Sequence, residues 1–263
     1  TDQKSVIFGA SGMAGGAILR SFTRQGYLNI LTPTREKLNL LDNAKVLDLG
    51  CGEGRHCFGA YMHANLDVYG FDLNPDDVQK AIDNFPQFDE KSDTKSCSFG
   101  CTDATKLPFA DETFDYLICS EVLEHIPEVD YAVDEIIRVT KRKGKIAVSV
   151  PSFFPEWVCW SLSKDYQLTP GGHVRIFKYK QLRKMIEERN CKFIEKHREH
   201  ALHSPYWWLK CLFWKNQENS YLVNKYHDFL VWDMMKKPFI TRFLEKMLQP
   251  LIGKSTVIYF EKN

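Results

Sequence analysis

The sequence predicts an open α/β fold: a doubly wound, mostly parallel sheet with helices on both faces. Three observations predict it. The run Val46-Leu47-Asp48-Leu49 is short and apolar enough for a strand buried on both faces, and glycines follow at 50, 52 and 54. A second run, Val68-Tyr69-Gly70-Phe71, ends on an acid, Asp72, eighteen residues beyond Gly54. From there to about residue 188, short apolar runs alternate with segments of helical period. A strand that ends in a glycine turn lets a ligand approach the backbone, because residues without a Cβ take up such turns at little cost. An acid at the tip of the next strand can accept hydrogen bonds from both hydroxyls of a ribose. Together these elements read as the nucleoside-binding half of the sheet.

In chain order, residues 5–8 form a strand, followed by Gly9, Gly12 and Gly15, a helix over 13–25 and a strand-like run over 28–31. After the 46–54 motif, residues 55–64 read as a helix whose N-terminus faces the ligand. Asn74-Pro75-Asp76-Asp77 carries the turn and acidic signals of a helix start, and Pro86 ends that helix. Residues 85–95 read as a polar connection, 96–101 as a strand and 116–119 as another. Ser120-Glu121-Val122-Leu123-Glu124-His125 then sits at a strand tip, where open α/β sheets place their ligands. Apolar positions 129, 133, 136, 137 and 139 predict a helix, which Lys141-Arg142-Lys143-Gly144 closes with cations and a glycine. Strands are expected over 145–150, 192–200 and 256–260, and a helix over 180–188. Between them lie an insertion over 152–172 rich in Phe and Trp, a short helix over 204–214 that is apolar around most of its circumference, and a further apolar stretch to residue 248.

Composition narrows the classes. The 263 residues allow one large domain or two small ones, and 26% charged residues leave a formal net charge of +1. No basic bias points to nucleic acid. The eight cysteines form no CxxC pair, and Cys97 and Cys101 have no second pair to complete a zinc site, so no metal ligand set is encoded by spacing. Buried, reduced thiols in a cytoplasmic protein are expected. No signal peptide and no membrane-spanning run is expected either. Apolar Trp207, Trp208 and Trp214 are either buried or rest on a membrane surface or a partner.

Two resemblances follow from these motifs. Val46 to Gly54 resembles the first motif of class I S-adenosylmethionine-dependent methyltransferases, and the GxGxG spacing with Glu53 inside the loop departs from the GxGxxG of dinucleotide-binding folds. Leu107-Pro108-Phe109 through Phe114-Asp115, the Val122-Leu123-Glu124-His125-Ile126 segment, and Gly172-His173-Val174-Arg175 resemble the type 11 group, which includes the ubiquinone and menaquinone methyltransferases. The opening forty residues, with Thr34-Arg35-Glu36-Lys37-Leu38-Asn39-Leu40, are similar to the first βαβ of extended short-chain dehydrogenase/reductases of the GDP-L-fucose synthase kind. There Arg35 is the matching position for the 2′-phosphate of NADP.

The resemblance implies a seven-stranded class I methyltransferase domain over 43–263, preceded by a truncated reductase-like βαβ over 1–42, a fusion of two pieces. It implies S-adenosylmethionine held by Asp48, Gly50, Cys51, Gly52, Gly54, Asp72, Leu73, Asp103, Ala104 and Ser120, with methyl transfer to a small, possibly apolar acceptor. His125, Glu121 and His173 are the catalytic candidates. For His125 two roles stay open, proton acceptor or backbone-bound pocket former. His173 and Arg175 either meet substrate or fix the loop, and Asp103 either meets the adenine amine or caps a turn. Two other functions compete: an NADP-dependent nucleotide-sugar epimerase/reductase fragment, and a cofactor-binding protein without turnover.

Overall fold

The computed structural model describes residues 4–6, 29–31, 44–63, 65–89 and 94–263. In the first part of the chain, β1 (Lys4–Val6) and β2 (Asn29–Leu31) pair in parallel with Ser5 opposite Ile30. The first glycine fingerprint, the helix expected over 13–25 and Arg35 lie outside the described residues.

The seven-stranded sheet begins with β3 (Ala44–Leu49). It continues through β4 (Leu66–Asp72), β5 (Ser96–Cys101), β6 (Phe114–Ser120), β7 (Thr140–Pro151), β8 (Cys191–Glu199) and β9 (Ser255–Lys262). Spatial order is β5-β4-β3-β6-β7-β9-β8. The first five of these pair in parallel, and β9 runs antiparallel between β7 and β8. The order reverses between β3 and β6, so the ends of these two strands open a crevice at the carboxyl edge.

Alternation along the central strands divides the core between the two faces. Leu47, Leu49, Leu117, Ile146 and Val148 pack on one face against Val133, Ile136 and Ile137 of α3 (Val129–Val139) and Leu182 and Ile186 of α6 (Tyr179–Glu187). Val46, Val68, Ile118 and Ala147 pack on the other face against Cys57, Phe58 and Tyr61 of α1 (Arg55–His63). Burying both faces explains why these strands read as continuous apolar runs. The start of α2 (Pro75–Asn84) follows from its sequence: Asn74 Oδ1 accepts the Asp76 N–H at 3.0 Å, and Pro75 needs no donor partner.

Two expectations need correction. The 85–95 connection is not simply polar: residues 85–87 make a 3₁₀ turn, and Phe88 stacks on Phe58 with centroids 4.5 Å apart. Lys141-Arg142-Lys143-Gly144 belongs to β7, which starts at Thr140. Lys141 pairs with Asp115 at 2.9 Å, so the cations bind the neighbouring strand instead of ending a helix. The helix expected over 204–214 stands as α7 (His203–Leu212); the insertion carries α4 (Phe153–Leu162) and α5 (Lys164–Gln167), and the later apolar stretch α8 (Tyr221–Lys236) and α9 (Phe239–Ile252). Leu202, Tyr206, Val223 and Leu230 form a core of their own there. Among the described residues, no helix is long and apolar enough to cross a membrane.

Candidate active site

The glycine loop takes the left-handed backbone that its sequence requires. Gly50, Gly52 and Gly54 have φ of +76°, +51° and +83°. The Gly50 and Cys51 N–H groups donate to Phe71 O at 2.7 and 3.1 Å, tying the loop to the tip of β4. There Asp72 receives the Gly52 N–H on Oδ2 at 2.8 Å and the Asn74 N–H on Oδ1 at 2.9 Å. A Cβ at Gly52 would meet nothing within 4 Å, whereas one at Gly50 would strike Val122 Cγ2 at 2.1 Å.

Beyond this loop lies a cavity of about 380 Å³, within the range of small-ligand sites. Asp72 and Asp103 offer carboxylates to it, while Leu73, Ala104, Val122 and Ile126 give it apolar walls. Asp103 also caps its own turn: Oδ1 accepts the Thr105 N–H and hydroxyl at 2.8 Å each, which holds its carboxyl below the usual range.

A second cavity, of about 480 Å³, adjoins the first. Gly50, Glu121 and His125 line both. The second is walled by Tyr166, Trp207 and Trp214, and by Lys210 and Lys254. Tyr166 and Trp214 meet edge to face at 5.2 Å, and the ammonium groups of Lys210 and Lys254 stand 4.5 and 5.1 Å from the Trp207 ring. Glu53 and Glu121 line it as well, so its wall joins aromatic rings to charges of both signs.

Behind it lies a buried polar group. Glu156 Oε1 meets His173 Nδ1 at 2.6 Å and the Tyr166 hydroxyl at 2.9 Å, and Oε2 meets Lys254 Nζ at 3.2 Å. Burial by itself would raise the Glu156 pKa, but Lys254, His173 and Tyr166 more than offset it and hold the carboxylate charged. Burial and the neighbouring Glu156 charge push the Tyr166 phenol far up, so it stays a donor.

Glu121 sits just past β6 with φ of +56°, an uncommon conformation for a residue with a Cβ. Its N–H donates to Ser149 O at 2.8 Å, and its Oε1 accepts the Ser149 hydroxyl at 3.1 Å. His125 Nδ1 faces Gly171 O at 2.8 Å and Gly172 O at 3.1 Å. Two carbonyls require a proton on Nδ1, which leaves Nε2 as the bare nitrogen. Burial and the adjacent His173 lower the His125 pKa and keep the ring neutral.

The cavities thus bring together Gly50, Cys51, Gly52, Asp72, Leu73, Asp103, Ala104, Ser120, Glu121, His125 and His173. Asp48 and Gly54 line neither. Asp48 is buried beneath the loop, where it meets His56 Nδ1 and accepts the Cys57 thiol, both at 3.3 Å. A Cβ at Gly54 would clash with Phe58 at 2.8 Å, so that glycine serves helix packing. Arg175 fixes the loop by donating to Ile126 O and Pro127 O, both at 2.6 Å. Trp207 and Trp214 face the second cavity, and Trp208 Nε1 donates to Pro155 O at 3.1 Å. Sequence reasoning missed Glu156 and Lys254. A lone acid inside the aromatic stretch 153–160 was a signal for the first, and nothing local marked the second.

The family model described as "Methyltransferase domain" matches residues 40–217. An arsenite methyltransferase of Halobacterium salinarum is 34% identical over 106 residues, which are 40% of this chain and 26% of that protein. A demethylmenaquinone methyltransferase of Renibacterium salmoninarum is 35% identical over 114 residues, 42% of this chain and 44% of that protein. The chain therefore matches less than half the length of either relative. In fold it is similar to a putative sarcosine dimethylglycine methyltransferase from Galdieria sulphuraria, with a TM-score of 0.59 at 15% identity, covering 95% of this chain and 87% of the other.

Proposed function

We propose that this chain, which belongs to the methyltransferase-domain family, transfers a methyl group from S-adenosylmethionine to a small, apolar acceptor. The observation that carries the reading is the pair of adjoining cavities, about 380 and 480 Å³, which meet at Gly50, Glu121 and His125. One is shaped for a nucleoside and the other for an apolar molecule, and a group passed between their occupants would cross at these residues. The cofactor fits the smaller cavity: Gly50 lines it without a side chain, and Asp72 and Asp103 supply acceptors for ribose hydroxyls and the adenine amine. When bound, S-adenosylmethionine supplies a methyl already activated on a sulfonium.

The residues of this chain do the positioning. Gly50 cradles the donor, and Tyr166, Trp207 and Trp214 hold the acceptor's apolar body and exclude water. Glu121 and the bare nitrogen of His125 face the proton that a hydroxyl or thiol acceptor gives up. The relatives' acceptors include arsenite and demethylmenaquinone by name, and the apolar wall favours an acceptor nearer the second in character.

The test is a screen with S-adenosylmethionine and apolar hydroxyl, thiol and quinol acceptors, read as S-adenosylhomocysteine formed. Acceptor-dependent product is expected, and Trp214→Ala should lower it while leaving cofactor affinity unchanged. If the cofactor binds and no acceptor class gives product, a binding protein without turnover is the better reading.

The 1–42 segment we read as a separate reductase-like piece ahead of the 43–263 domain, in keeping with the parallel β1–β2 pair. NADPH binding by the full chain tests it. Membrane-surface contact belongs to α9 in this reading. Phe239, Phe243, Met247 and Leu251 form an exposed stripe four residues apart, with Lys236, Arg242 and Lys246 nearby. Co-sedimentation with anionic vesicles, abolished by Phe239→Glu and Phe243→Glu together, is the expected result.

A further inference from the structure

Glu124, His125 and His173 bring one carboxylate oxygen and two imidazole nitrogens to within 4.8 Å of one another. Glu124 Oε1 stands 4.0 Å from the Nε2 atoms of both rings. From this geometry we infer that the three side chains bind a divalent first-row transition metal ion, with its remaining coordination positions open to the larger cavity.

Four features argue for it. First, each ring is anchored through its other nitrogen. His125 Nδ1 is held by the carbonyls of Gly171 and Gly172, and His173 Nδ1 by the Glu156 carboxylate at 2.6 Å. That is the outer-shell pattern that fixes the tautomer of a metal-ligating histidine and aims Nε2 at the ion. Second, both Nε2 atoms face one point, and the atom they share there is an oxygen of Glu124, a side chain only 1% exposed. Third, the distances suit a small contraction. Ligands about 2.1 Å from a common ion lie roughly 3–3.5 Å apart, so each side chain moves inward by a few tenths of an ångström. Fourth, His125 and His173 line the larger cavity, so that water or an acceptor atom can complete the sphere.

Two imidazoles with one carboxylate favour zinc, iron, cobalt or nickel over magnesium or calcium, which prefer all-oxygen sets. Sequence spacing concealed the group, because His173 joins only through the Gly171–Gly172 turn that supplies the carbonyls holding His125. With an ion bound, the two Nε2 lone pairs are committed to it. An oxygen or sulfur of the acceptor would then meet the ion instead of a bare imidazole. Metal binding itself does not depend on methyl transfer, so it can fail while the proposed function stands, and the reverse.

The experiment is titration of the chelator-treated full chain with Co²⁺, followed by visible d–d absorption and calorimetry. Cys101→Ser is the background, because Cys101 is an exposed thiol that takes up soft ions. One Co²⁺ per chain with a visible band is expected. His125→Ala and His173→Ala should each weaken binding by about tenfold or more, and Glu156→Gln by about 10- to 100-fold through the loss of ring anchoring. Glu124→Gln keeps the side chain's shape and should also lose the ion. Circular dichroism of each variant separates lost binding from lost folding. No visible band in the parent chain, or equal affinity in folded His125→Ala and His173→Ala, would overturn the inference.

Discussion

A methyl group placed on the Cα of Gly50 would lie 2.1 Å from Cγ2 of Val122, closer than any side chain tolerates. The two residues come from the tips of neighbouring strands, β3 and β6, and both line the smaller cavity. With Gly50 also at φ +76°, alanine is excluded by contact and by backbone together. Gly50→Ala should cost about 1–2 kcal/mol from the left-handed conformation alone, plus the clash, and should abolish S-adenosylhomocysteine binding. Gly52→Ala meets no atom and should keep its fold, losing about 1–2 kcal/mol from its backbone angle. Thermal melts and calorimetry of the pair check the contrast.

Asp72 has two duties, which its variants separate. Its carboxylate orders the loop through the Gly52 and Asn74 N–H groups and stands at the nucleoside cavity. Asp72→Asn retains one oxygen for the backbone and Asp72→Ala retains none. Cofactor affinity should fall by about tenfold in the first and further in the second, a loss of about 1.4 kcal/mol or more. Equal affinity in wild type and Asp72→Ala would remove Asp72 from the site.

The Lys254–Glu156 pair is buried on both sides, at 7% and 0% side-chain exposure. Removing Lys254 leaves the buried Glu156 charge to His173 and Tyr166 alone. Lys254→Met should destabilise the chain by about 3–5 kcal/mol, measured by denaturant unfolding. A Lys254→Met/Glu156→Gln double variant should recover part of the loss, since no unpaired charge remains.

Acid stability should depend on Glu135. Its carboxylate accepts Arg138 Nε and Nη2 and the Leu107 N–H, and the Arg138 contact in particular lowers its pKa. A depressed carboxylate stabilises the fold fully above its ordinary pKa, and the contribution disappears as pH falls through the depressed value. Wild type should therefore exceed Glu135→Gln by about 1–2 kcal/mol at neutral pH, with the gap closing as pH falls below the usual carboxylate range. A gap independent of pH would contradict the assignment.

The parts of the fold that lie within a few residues of one another were legible in the sequence. The Val46–Gly54 strand and loop, the acid closing β4 and the Asn74 cap stand where their residue types require. What escaped was pairing at a distance. Lys141 reads as a helix end until Asp115 is beside it, and Lys254 meets Glu156 across 98 positions. His125 was legible as a strand-tip histidine, but its anchoring carbonyls lie 46 and 47 residues away. Asp48 was assigned to the ligand because it sits in the motif, yet its face of β3 turns it to α1 and Cys57. Motif membership brings residues to the glycine loop, while the direction of each side chain depends on strand register.

In this reading the smaller cavity holds S-adenosylmethionine. Calorimetric titration of the full chain with S-adenosylhomocysteine, and separately with NADPH, tests it most directly, together with the same titrations of Asp72→Ala. The account predicts one S-adenosylhomocysteine per chain, with affinity reduced by more than about tenfold in the variant. No binding of S-adenosylhomocysteine, or binding that the Asp72 substitution leaves untouched, would contradict it.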